Sequence, residues 1–332
     1  MIIFIQFIIC TVVILYAGQE LSKYGDILAE KTGLGRTWIG IVLMASITSL
    51  PELITGVSSV AIFNLPNLAA GDIFGSCMFN ILILALLDIG HPVPLSTRAN
   101  YGNVLSGSFG ILLLGLVAGA IFAKNSLPSL GWIGIYSLAF ILIYLLAIRI
   151  VFLYEQKRMS EFAKELAEEL QYRSISKKKA FTRYAINALI IIGAATYLPY
   201  IGEEIAEITG LGQTFVGSIF IALSTSLPEV VVCFAAMRLE AMDMAFGNLF
   251  GSNLFNIAIL GIDDIFYLKN PLLNHVSDTH ILTAMAAIIM TAIILIGLTY
   301  RAIKKPFIFS WDSLGIIGIY LGTTFLLYNH IN

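Results

Sequence analysis

The chain has 332 residues, 58% hydrophobic and 12% charged, with a formal net charge of −2. A soluble domain carries about 25% charged residues, so an ordinary soluble domain is excluded, and no nucleic-acid partner is expected. Apolar runs of about 20 residues recur along the whole length and define a multi-pass membrane protein.

Ten spans are expected, at residues 2–22, 37–62, 67–88, 101–123, 130–153, 184–201, 214–237, 242–262, 279–300 and 311–329. The first run starts at Ile2 with no basic stretch before it and no small-residue cleavage site after it, and is expected to be retained as a span. Trp38, Trp132 and Trp311 fall near span ends, where an interfacial aromatic belt would place them. Cys10, Cys77 and Cys233 lie in apolar segments without pairing or metal spacing, and are expected to act as small packing residues.

Charge orients the spans. With the 154–183 loop on the cytoplasmic side, 17 Lys and Arg residues fall on that face, and only Lys124 and Lys269 fall on the other. This positive-inside bias predicts both termini outside and supports an even number of spans; the expected location is the cell (plasma) membrane. Residues 154–183 read as a linker. Met159, Phe162, Ala163, Leu166 and Leu170 have helical spacing, and Lys177-Lys178-Lys179 follows, a pattern suited to the anionic inner leaflet.

The sequence also repeats. Thr32-Gly33-Leu34-Gly35 through Glu52 matches Thr209-Gly210-Leu211-Gly212 through Glu229 at an offset of 177. Gly71 through Ile81 then matches Gly247 through Ile257 at an offset of 176. Five spans per half is an odd number, so the second copy enters the membrane from the opposite face, a secondary-transporter pattern. The expected fold is all-α: ten transmembrane helices as two inverted-topology five-helix repeats, broken at helices 2 and 7 at the midplane. The repeats are residues 1–153 (motif 45–81) and 184–332 (motif 222–257).

Each half carries Thr-Ser-Leu-Pro-Glu inside an apolar run, at Thr48–Glu52 and Thr225–Glu229. Pro51 and Pro228 lack an N–H, so each frees a carbonyl four residues back and kinks its helix. Within lipid such groups must be satisfied or line a polar cavity. Asp72, Ser76 and Asn80 share one helix face at i, i+4, i+8, as do Asn248, Ser252 and Asn256. Gly71, Gly75, Gly247 and Gly251 allow close helix approach. The simplest assembly sets span 3 on the break of span 2 and span 8 on the break of span 7. The resulting cluster of carboxylates, hydroxyls and amide oxygens suits hard cations and argues against zinc or copper.

These motifs resemble the α-repeats of the cation/calcium antiporter superfamily, which includes the sodium/calcium exchangers. The resemblance implies alternating-access exchange of Ca²⁺ for Na⁺ or H⁺, with no resident cofactor. It implies ligand roles for Thr48, Ser49, Glu52, Ser76, Asn80, Thr225, Ser226, Glu229, Ser252 and Asn256. The first copy departs from the family pattern at Asp72 and Cys77, where the second has Asn248 and Asn253. Asp72 is expected either to line an external vestibule or to cap the start of span 3, with Asn248 as its counterpart.

The expected partners are therefore the lipid bilayer and small cations, with no obligatory protein. Proton coupling through Glu52 and Glu229 is the main alternative to Na⁺. A passive channel would not need mirrored repeats, and no nucleophile–base pair or nucleotide loop supports an enzyme or a pump. Asp88, Asp263 and Asp264 sit at apparent span ends and read as interfacial; His91, His275, His280 and His330 read as surface residues.

Overall fold

The computed structural model describes residues 2–32, 44–91, 93–97, 102–162, 176–238 and 242–329. Gly33–Gly35, Trp38, Arg98, linker residues 163–175 and His330 lie outside the described residues.

The described chain is mostly helical. In order it forms α1 (Ile2–Thr32), α2 (Met44–Thr48), α3 (Leu50–Ser58), α4 (Pro66–Leu87), α5 (Gly102–Phe122), α6 (Ile135–Phe162) and α7 (Lys177–Thr209). There follow α8 (Gly212–Val216), α9 (Ala222–Thr225), α10 (Leu227–Arg238), α11 (Met242–Phe266), α12 (His280–Tyr300) and α13 (Trp311–Asn329). Among the described residues, seven helices are long and apolar enough to cross a bilayer, and eight if Gly212–Thr225 and α10, bent by 45° at their junction, are taken as one span. The protein is thus a multi-pass membrane protein. A short antiparallel ladder, Ser129–Leu130 with Ile133–Gly134, turns on Gly131 (φ +65°) before α6. This small β element was not expected in an all-α chain.

The ends of these elements follow from local chemistry. A π-helical turn, Ser59–Phe63, follows α3 and stops at Asn64, whose φ of 59° is a conformation that Asn tolerates. Pro66 then opens α4, where its missing N–H removes nothing. Ser176 caps α7 by accepting from the Lys179 N–H. Pro199 inside α7 leaves the Ala195 carbonyl free of its helical partner, and the Thr55 hydroxyl donates to it at 3.4 Å.

Helices α4 and α11 form the centre. Of their most apolar stretches, 89% and 83% are buried inside the protein, against 33% for α1. Small residues make this possible. A Cβ at Gly71 would lie 3.0 Å from the Gly217 Cα, and one at Gly75 would collide with the Ser218 backbone. Helix α4 thus lies directly on the second π-helical turn, Gly217–Ile221. Gly18 of α1 accommodates Pro228 in the same way.

Each motif helix touches the broken span of its own half, α4 with α3 and α11 with α10, as expected. Each also packs across, α4 on α9 and α11 on α2. The cross-half contacts carry the polar chemistry described below.

The three acidic residues read as interfacial are fully buried, and so is His280, which lies against Phe74. Asp88 accepts from the Leu95 and Ser310 N–H groups at 2.8 Å each, and pairs with Lys305 at 3.0 Å. Asp264 accepts from the Gly134 N–H (2.7 Å), the Ser137 hydroxyl (2.7 Å), the Tyr136 hydroxyl (3.1 Å) and the Leu272 N–H. The connections after α4 and α11 fold back over these carboxylates, so an apparent span end becomes an interior clamp.

Candidate ion-binding site

Both broken spans fail at the same residue type with the same backbone. Ser49 has φ −84° and ψ 15°, and Ser226 has φ −87° and ψ 8°. After each break a new helix begins with proline in its first turn, and its acid follows at Glu52 or Glu229. The carboxylates thereby sit at helix N-termini, where the partial positive charge of unpaired N–H groups favours an anion.

The two breaks then satisfy each other. The Ser49 hydroxyl donates to Glu229 Oε1 at 3.0 Å, and the Ser226 hydroxyl donates to Glu52 Oε1 at 2.9 Å. Ser252 also donates to Glu229 Oε1, at 3.1 Å. The Ser226 and Ser76 hydroxyls are 2.9 Å apart. Thr48 donates to Asn248 Oδ1 at 3.4 Å and lies 3.5 Å from Ser252. Thr225 donates to Asp72 Oδ1 at 2.8 Å. All twelve residues singled out in the sequence are buried, each at most 1% exposed.

Asp72 is the seventh residue of α4, past its first turn, so it does not cap the helix. It is fully buried and bound to Thr225, inside the cluster rather than on an open vestibule. Asn248 holds the corresponding place opposite Thr48, at a longer distance. Cys77 sits where the motif helices cross, with Asn256 Nδ2 4.0 Å from its sulfur.

One member of the cluster was missed. Asn253 accepts from Asn80 Nδ2 at 2.9 Å and donates to the Cys77 carbonyl at 3.1 Å, tying α4 to α11. Its signal was the mismatch at the repeat position, Cys77 against Asn253.

The network leaves oxygens over. Glu52 Oε2, Glu229 Oε2, Asp72 Oδ2, Asn80 Oδ1 and Asn256 Oδ1 are buried and have no hydrogen-bond partner among the described residues. Burying such atoms unpaired is costly, and all five are hard, cation-seeking oxygens. Among the described residues, no group of three or more His, Cys, Asp or Glu side chains converges as a metal site. The set is instead a mixture of carboxylate, hydroxyl and amide oxygen.

Known proteins give the same outline. The sequence model of the sodium/calcium exchanger protein family matches residues 2–154 and 180–329. The inner membrane protein YrbG of Escherichia coli K12 is 29% identical over 256 residues, 76% of each chain. The solved structure of the sodium-calcium exchanger NCX_Mj superimposes with a TM-score of 0.62 at 20% identity, over 96% of this chain and 97% of that one. The H⁺/Ca²⁺ exchanger CAX superimposes with a TM-score of 0.73 at 12% identity, over 99% of this chain and 85% of that one.

Fold, buried polar cluster and relatives together define an ion-exchange transporter of the membrane, not an enzyme. The chain belongs to the sodium/calcium exchanger protein family.

Proposed function

We propose that the protein is a secondary active antiporter that exchanges Ca²⁺ for Na⁺ by alternating access. The observation that carries this reading is the set of five buried, unpartnered oxygens between two reciprocally bonded Ser–Glu pairs. Glu52 and Glu229 supply the charge that matches one Ca²⁺. Thr48, Ser49, Ser76, Asn80, Thr225, Ser226, Ser252 and Asn256 supply neutral oxygens. Asp72 brings a third carboxylate beside them, with Asn248 as its neutral counterpart. The ions are cargo, held at the membrane midplane between the halves.

In this reading residues 1–153 and 184–332 are two inverted five-helix repeats, ten spans in all, joined by a cytoplasmic linker at 154–183. Both termini face outside, in the plasma membrane. The matching backbone at Ser49 and Ser226 supports the pseudo-symmetry, and the family match in two blocks on either side of the linker is in keeping with it. Alternating access then needs only the exchange of contacts between two similar halves.

Measuring Ca²⁺ uptake into proteoliposomes tests the proposal. Under an outward Na⁺ gradient at equal pH, Ca²⁺ is to accumulate above its external concentration. Uptake driven only by a pH gradient, with Na⁺ inactive, would replace Na⁺ by H⁺ at the same two glutamates. Downhill Ca²⁺ leakage that no counter-ion gradient can drive uphill would refute exchange and indicate a channel.

A further inference from the structure

We infer that Asp263, seated against Gly56 one helical turn outward of Glu52, is a further binding station for a monovalent cation on the outer route to the central site. This rests on the exchanger reading and on the orientation proposed with it.

Asp263 is 0% exposed, and neither of its oxygens has a hydrogen-bond partner among the described residues. Its neighbour Asp264, equally buried, takes four protein donors. The fold therefore supplies donors for a buried acid at this level and gives them all to the adjacent residue. A buried carboxylate without donors must be matched by a cation or a proton.

The place of Asp263 is specific. A Cβ on Gly56 would lie 2.5 Å from Asp263 Oδ2 and 2.7 Å from Oδ1, so the carboxylate fills the space where a side chain at 56 would stand. Gly56 follows Glu52 by four residues on α3, which puts the two on one helix face about a turn apart. The charged groups acting on Asp263 are Asp72 on α4 and Asp264 on its own helix, both acidic. Among the described residues these acids do not converge as a group of three or more His, Cys, Asp or Glu side chains that could hold a metal. A single carboxylate suits one positive charge better than the chelation a divalent ion needs.

The two halves also differ here. At the repeat offsets, Gly56 corresponds to Cys233 and Asp263 to Leu87. The station thus belongs to one side of the route, where the counter-ion would be met before the central pair.

The test uses the full chain in proteoliposomes, comparing wild type with Asp263→Asn and Gly56→Ala. Asp263→Asn removes the charge, whereas Gly56→Ala keeps the acid and displaces it. Three modes are measured: Ca²⁺ self-exchange without Na⁺ at equal pH, uptake driven by a Na⁺ gradient, and uptake driven by a pH gradient. Self-exchange is to stay within about twofold in both variants, while the driven mode that wild type uses falls at least about tenfold. Which arm falls tells Na⁺ from H⁺. Unchanged driven uptake in both variants would overturn the inference, as would an equal loss of self-exchange in both. Absence of driven uptake in wild type would instead sink the exchanger reading, and this inference with it.

Discussion

Gly75→Ala adds one methyl group and no charge, yet it should disable the site. The new Cβ would stand 2.6 Å from the Ser218 Cα and 2.7 Å from the Ala222 Cβ. Seating it at an ordinary 3.4 Å from that Cα requires at least about 0.8 Å of extra separation between α4 and the Gly217–Ile221 turn, because the Ser218 carbonyl oxygen stands closer still. The shortest side-chain bonds across that junction are Thr225 to Asp72 at 2.8 Å and Ser226 to Ser76 at 2.9 Å. Stretched by that amount, both pass about 3.6 Å and cease to be hydrogen bonds. At about 1 kcal/mol each, their loss corresponds to roughly 30-fold weaker Ca²⁺ binding. Overpacking strain of about 1–3 kcal/mol falls on stability as well. The assay is the Ca²⁺ concentration dependence of transport in proteoliposomes, with thermal unfolding measured in parallel. Gly115→Ala is the control, since nothing lies within 4 Å of a Cβ there. A Gly75→Ala protein with Ca²⁺ affinity within about threefold of wild type would refute the claim that close packing sets the site's geometry.

Two further predictions concern neighbouring groups. Asp72→Asn keeps an acceptor for Thr225 and copies the residue at 248, so Ca²⁺ transport should survive with affinity within about tenfold of wild type; abolished transport would make Asp72 an essential ligand. Lys305→Met strands Asp88 in a pair whose side chains are only 5% and 1% exposed, at a cost of about 3–5 kcal/mol in thermal unfolding. The double variant Asp88→Asn/Lys305→Met should cost less than the sum of the two singles, and strict additivity would contradict direct coupling.

The parts legible in the sequence were those that break a local rule. Proline and glutamate inside an apolar run mark Glu52 and Glu229 without any knowledge of packing, and the glycines of α4 announce a close approach. Helix limits were also close: the expected 67–88, 101–123 and 279–300 became Pro66–Leu87, Gly102–Phe122 and His280–Tyr300. What could not be read were partners far away in the chain. Asp264 looked interfacial because its donor at Gly134 is 130 residues distant, and Asp88 for the same reason with Ser310, 222 residues on. Asn253 stayed unnoticed because both of its partners, Asn80 and Cys77, lie in the other half. The cross-half pairing of Ser49 with Glu229 and Ser226 with Glu52 needed the two breaks to be seen face to face.

In the proposed exchanger two carboxylates, Glu52 and Glu229, one from each half, form a single ion site. Ca²⁺ uptake by Glu52→Gln and by Glu229→Gln in proteoliposomes, under the gradient that drives wild type, tests it most directly. Glutamine preserves shape and an acceptor for the serine across the break, so both proteins should fold, and each alone should lose exchange completely. Exchange that persists in both variants would contradict the account.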